Sequence, residues 1–177
     1  MKKLIWQGAI AVLLAPLAFP ADVVTAVHGT VTKVDSATKT VVVKTADGTE
    51  HTLHFVAKTT VHGADRTAKD TFHGVKEGSE VVAHYTAKGT EKTAVEVDRV
   101  GKDGMKDVEG TVSAIDRGTK KLVVKSADGT EHTFKLADRA AEDAGKDVGK
   151  AVEKSAHVTV YYTEEAGKKI AHFFENH

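Results

Sequence analysis

Residues Gly29–Phe55 and Gly110–Leu136 are two copies of one segment, and this duplication limits the folds open to the chain more than any other feature. The first reads GTVTKVDSATKTVVVKTADGTEHTLHF and the second GTVSAIDRGTKKLVVKSADGTEHTFKL. They align without a gap at an offset of 81, with 16 of 27 positions identical. Most of the differences are conservative: Val34 against Ile115, Val41 against Leu122, Leu53 against Phe134 and Phe55 against Leu136. A second match follows, Ser79–Ala87 with Ala156–Glu164 at an offset of 77, so that Tyr85 coincides with Tyr162. A period of this length means one supersecondary unit used twice.

Each unit reads as β. Val27–Asp35 is expected to be a first strand with a bend or bulge at Gly29. Ser36–Thr38 is a turn, and Lys39–Thr45 a β-branched second strand. Period-two alternation sends Val41 and Val43 to one face and Thr40, Val42 and Lys44 to the other. Asp47-Gly48 and Asp128-Gly129 predict type I′ hairpins. Glu50–Val56 is the third strand, with Leu53 and Phe55 inward. The copies then diverge. The first has a short strand at Thr60–His62 and a helical stretch at Ala64–Phe72. The second has an amphipathic helix at Asp138–Lys154, with Ala141, Ala144, Val148 and Val152 as its apolar stripe. Two last strands close each copy, ending with Glu91–Val100 and Lys168–Phe174.

The expected fold is therefore all-β with minor α: two tandem five-stranded OB-like Greek-key barrels, with a helix after the third strand of the second copy. SH3-like barrels or one shared sandwich are the alternatives. The expected divisions are 1–21 signal peptide, 22–100 first barrel, 101–107 linker and 108–177 second barrel. The recurring elements Gly29–Asp35, Thr40–Thr49 and the Lys76–Gly78 turn resemble the small OB-like barrel repeats of uncharacterised exported bacterial proteins. The second copy has no matching Lys-x-Gly turn. That resemblance implies a fold and carries no catalytic residues with it.

Residues 1–21 read as an export signal: Lys2 and Lys3, then the apolar Gly8–Leu14, then Pro16, Pro20 and small Ala18 and Ala21. Cleavage after Ala21 or Ala26 predicts a periplasmic or secreted protein. The stretch Leu4–Phe19 is 16 residues, short of the ~20 needed for a span, so the mature chain is not expected to be transmembrane. The 25 basic and 25 acidic residues balance, and loss of Lys2 and Lys3 leaves a mature charge of −2. No basic footprint for nucleic acid is visible. The absence of Cys excludes disulfides, thiolate nucleophiles and lipid-modified cysteine.

No P-loop, HExxH or GxSxG spacing occurs. The expectation is a non-enzymatic binding or envelope-associated structural module, with no cofactor and with an unknown protein or envelope component as partner. Ten histidines raise a rival, a periplasmic transition-metal protein. Its candidate zinc or copper ligands are His54, His62, His73 and His84 of the first copy, provided a loop folds back. Only one histidine position is common to the copies, His51 with His132. Both follow the hairpin turns and read as solvated strand starts. The outward positions of the second copy, Lys121, Val123, Lys125, Thr133 and Lys135, form a lysine face suited to an oligosaccharide or another polyanion, without aromatic side chains for stacking bases. Tyr161 and Phe173 are candidate interface residues, since alternation with Tyr162 and Phe174 would otherwise leave them as an exposed apolar patch.

Overall fold

The computed structural model describes residues 24–63, 72–102, 104–137 and 155–177. The expected signal at 1–21, the helix at 138–154 and all but the last residue of the stretch 64–72 lie outside the described residues. Phe72 itself begins a short 3-10 turn, Phe72–Gly74.

Ten strands are described, five per copy. The first set is β1 (Val24–Asp35), β2 (Thr40–Lys44), β3 (Glu50–His62), β4 (Glu80–Lys88) and β5 (Glu91–Arg99). The second is β6 (Lys106–Asp116), β7 (Lys121–Lys125), β8 (Glu131–Leu136), β9 (His157–Glu165) and β10 (Lys168–Asn176). Hydrogen bonding runs β1-β2-β3-β5-β4 and closes on β1; β6 to β10 repeat that order and also close. Every pairing is antiparallel except β3 with β5 and β8 with β10. This is the strand order of an OB-type Greek-key barrel. It is neither a shared sandwich nor an SH3-like order.

Closure depends on one long strand serving two partners. β1 pairs with β4 through Thr30 and with β2 from Thr30 onward, and β6 does the same around Thr111. The bend needs a residue without a side chain. A Cβ at Gly29 would sit 2.3 Å from the Lys44 carbonyl oxygen, and one at Gly110 would sit 2.4 Å from that of Lys125. The bulge itself falls later, between Val31 and Lys33 and between Val112 and Ala114.

Alternation places the cores as the sequence predicts. Val41, Val43, Leu53 and Phe55 are buried in the first barrel, and Leu122, Val124, Phe134 and Leu136 in the second. Phe72 packs edge-on against Phe55 at 5.3 Å, and Val75 joins the same core. The short strand expected at Thr60–His62 is the end of β3. It continues past a register shift after Phe55, where Thr59 Oγ1 accepts from Val56 N–H and donates to the Ala94 carbonyl.

The Asp-Gly turns differ from the type I′ expectation. Only Gly48 and Gly129 have positive φ, both 87°. Gly48 N–H bonds the Thr45 carbonyl and Thr45 N–H bonds that of Thr49, which makes a three-residue loop ending in a glycine bulge. The reason is the Asp side chain. Asp47 Oδ1 accepts from Thr49 N–H and from the Thr45 hydroxyl, which holds Asp47 at negative φ. Asp128 makes the same bonds to Thr130 N–H and the Ser126 hydroxyl.

Candidate functional site

Strands β7 and β8, the β6–β7 turn and the β9–β10 hairpin surround a groove of about 600 Å³ on the second barrel. Its walls carry Lys120, Lys121, Lys135, Lys168 and Lys169 against one acid, Glu131. The parallel β8–β10 pairing makes this possible, because it sets Lys169 opposite Phe134 and so brings the second hairpin beside the outward residues of β8. Lys120 takes positive φ, 53°, while its carbonyl accepts from Leu136 N–H. The turn is thereby tied to the end of β8.

At the groove floor Lys169 Nζ donates to His132 Nδ1 at 2.9 Å and lies 5.3 Å from the centre of the Tyr162 ring and 5.7 Å from that of Phe134. Both rings are buried, so they offer no stacking platform. The first barrel repeats this arrangement: Lys92 Nζ donates to His51 Nδ1 at 3.0 Å and sits over Tyr85. Burial, then the Lys92 charge, holds His51 below the ordinary imidazole value. The one histidine position common to both copies is therefore a half-buried acceptor for a lysine that caps a barrel-end tyrosine. The predicted solvated strand start is not what the structure shows.

Where the copies correspond, the charge differs. Lys121, Lys135 and Lys168 replace Thr40, His54 and Glu91, whereas Lys39 and Lys92 match Lys120 and Lys169. The first barrel thus has two lysines against Glu50 and Glu91, and the second has five against Glu131.

The outer faces of β4 and β5 meet those of β9 and β10. Val82, Met105 and Tyr161 form a buried cluster with Val100 and Phe173 packed on it. Tyr162 and Phe174 turn the other way, into the second barrel. The Tyr161 hydroxyl donates to Glu175 at 3.3 Å and lies 3.1 Å from His28 Nδ1, whose Nε2 is 2.8 Å from Glu80. Burial, then Glu175 and Glu80, pushes the Tyr161 phenol far above its ordinary value. Gly104 lets the connection fold tightly: a Cβ there would meet the Arg99 carbonyl oxygen, to which Met105 N–H bonds. β6 begins at Lys106, inside the stretch 101–107 read as a linker.

The four predicted metal ligands are not brought together. His54 lies on the outer face of β3 opposite Thr40 and Thr93, and His73 is exposed on the 3-10 turn. His84 is buried at the junction, with Nε2 donating to the His172 carbonyl at 3.3 Å. Burial lowers its affinity for a proton against the pull of Asp98 and Glu96. His62 does meet carboxylates: Nδ1 is 2.6 Å from Asp98 and 3.6 Å from Glu96. Sequence reading missed Glu96, Asp98, Lys168 and Lys169. The Glu91/Lys168 contrast between aligned copies was the available signal for the last two.

No family model matches the chain, and no curated protein matches it. Solved structures with similar folds include Ag(I)-bound CusF, at 13% identity and a TM-score of 0.33, over 43% of this chain and 96% of that one. Apo-CusF residues 6–88 from Escherichia coli matches at 12% identity and a TM-score of 0.35, over 49% and 98%. Drosophila Unr CSD456 matches at 12% and 0.34, over 86% of this chain and 61% of that one. Likenesses this distant carry nothing about ligand or activity to this chain.

Proposed function

We propose that this protein is a non-enzymatic, exported binding module of two tandem OB-type barrels, and that its second barrel holds a polyanionic glycan of the cell envelope. The observation that carries the reading is the lysine groove, with five ammonium groups against one carboxylate in about 600 Å³. The face of the second and third strands of a barrel, here β7 and β8, with its flanking turns, is where OB-type barrels take oligosaccharides and oligonucleotides. Buried Phe134 and Tyr162 favour the sugar, since base binding relies on exposed rings. Export is supported by the character of residues 1–21.

Titration with a sulfated or uronic-acid oligosaccharide, followed by calorimetry at rising salt, tests the reading. Binding should weaken steeply with salt. The triple variant Lys121→Thr, Lys135→His, Lys168→Glu, which gives the groove the side chains of the first barrel, should weaken it at least about tenfold, equal to about 1.4 kcal/mol. Equal binding by wild type and triple variant would overturn the proposal, as would a preference for single-stranded DNA of equal charge.

A further inference from the structure

The junction end of the first barrel gathers a second set of groups, unrelated to the lysine groove. Parallel pairing sets His62 opposite Asp98 and Thr60 opposite Glu96. Glu96 and Asp98 are two apart on β5 and flank inward-facing Val97, so both carboxylates leave the barrel on its outer side. His62 Nδ1, a Glu96 oxygen and an Asp98 oxygen all lie within 4.8 Å of one another.

We infer that His62, Glu96 and Asp98 form a divalent transition-metal site at the edge of the contact between the barrels, with zinc as the best-matched ion. Zinc binds imidazole nitrogen and carboxylate oxygen at about 2.0–2.2 Å, which in a tetrahedron puts ligand atoms about 3.4 Å apart. The His62–Glu96 separation of 3.6 Å already fits. The His62–Asp98 pair, at 2.6 Å, needs to open by less than about 1 Å, and the His62 side chain, 58% exposed, has room to turn. Asp98 supplies independent support. Its side chain is 1% exposed, and Oδ2 makes no hydrogen bond among the described residues. A buried carboxylate oxygen without a donor is costly, and a cation removes that cost.

The three donors leave the fourth position of a tetrahedron to water, and His172 of the second barrel stands beside the site without joining the set that lies within 4.8 Å. His172 Nδ1 lies 3.8 Å from the Glu96 oxygen, and its Nε2 is held 2.8 Å from the Thr163 hydroxyl. A set mixing imidazole and carboxylate suits zinc better than calcium or magnesium, which take oxygen alone.

Calorimetric titration of the tag-free protein with zinc chloride tests this, with the ligand-field spectrum of cobalt(II) as a second readout. One equivalent should bind, and cobalt should give the visible bands of four-coordinate geometry. His62→Ala and Asp98→Asn should each weaken zinc at least about tenfold and abolish the cobalt bands, while His54→Ala and His73→Ala leave both unchanged. If Asp98→Asn fails to fold, exposed His62 and the variant Glu96→Gln still decide the matter. No stoichiometric binding by wild type overturns the inference. So does wild-type affinity in His62→Ala and Glu96→Gln, or a loss seen only when exposed His157 and His177 are replaced.

Discussion

The two barrels share their interior and differ in what they put outside. Leu53 and Phe134, Val43 and Val124, and Tyr85 and Tyr162 fill the same core places, and the same lysine–histidine pair caps each tyrosine. The outer faces have separated. The first barrel turns Val82, His84 and Glu96 toward its neighbour and keeps a charge-balanced β2–β3 face. The second turns Tyr161 and Phe173 toward the junction and gathers lysines around its groove. After a duplication, closure of the barrel still constrains the inward residue of each alternating pair. The outward residue is free to change, so chemistry diverges at period two while the fold stays fixed.

The sharpest way to break that comparison is to empty the matched core places. Leu53→Ala and Phe134→Ala remove side chains that are 0% exposed, and each should cost about 2–5 kcal/mol. Scanning calorimetry would show whether the halves are also coupled. If the Val82–Met105–Tyr161 cluster binds them together, either variant should lower a single transition. Two transitions, only one of which moves, would mean that the barrels unfold independently.

A smaller effect tests the bend of the long strands. Gly29→Ala and Gly110→Ala each drive a methyl group to 2.3 or 2.4 Å from a carbonyl oxygen, so strand and neighbour must shift. Losses of about 1–3 kcal/mol, alike in the two barrels, are expected from urea unfolding. A cost in one barrel alone would show that the two closures are not equivalent.

The β grammar was legible because it repeats and because alternation alone separates core from surface. Val41, Val43, Leu53 and Phe55 needed no knowledge of strand order. The turn type was not legible, since Asp-Gly serves both a two-residue loop and a three-residue loop with a glycine bulge. The choice was made by the Asp47 carboxylate bonding Thr45 and Thr49. Two of the five groove lysines, Lys121 and Lys135, could be read from β7 and β8, whereas Lys125 of the predicted lysine face lies outside the groove. Lys168 and Lys169 arrive through a parallel pairing that no local pattern announces. The histidine cluster failed for the same reason: His62 finds its carboxylates across β5, whereas His54 and His73 face elsewhere. Burial of Val82 and His84 was equally hidden, because they sit at outward positions covered only by the other barrel.

The smallest expected effect is in the Asp-Gly corners, where the copies should agree in sign. Hydrogen bonds from the Ser126 hydroxyl and then Thr130 N–H lower the Asp128 carboxyl to about 2. The Thr45 hydroxyl, then Thr49 N–H, hold the Asp47 carboxyl below its ordinary value. A carboxylate whose folded value is depressed stabilises the fold above its unfolded value near 3.8, and that contribution is lost as the pH falls through the folded value. Stability measured by urea unfolding between about pH 5 and pH 2 should therefore fall toward acid. Asp128→Asn and Asp47→Asn should flatten the fall, because an amide oxygen still accepts from the turn but does not titrate. Both corners are open to water, so each effect will be modest. Flattening in both variants would show that the turns are equivalent in energy as well as in shape, and flattening in one alone would place the first real divergence between the barrels at the turns.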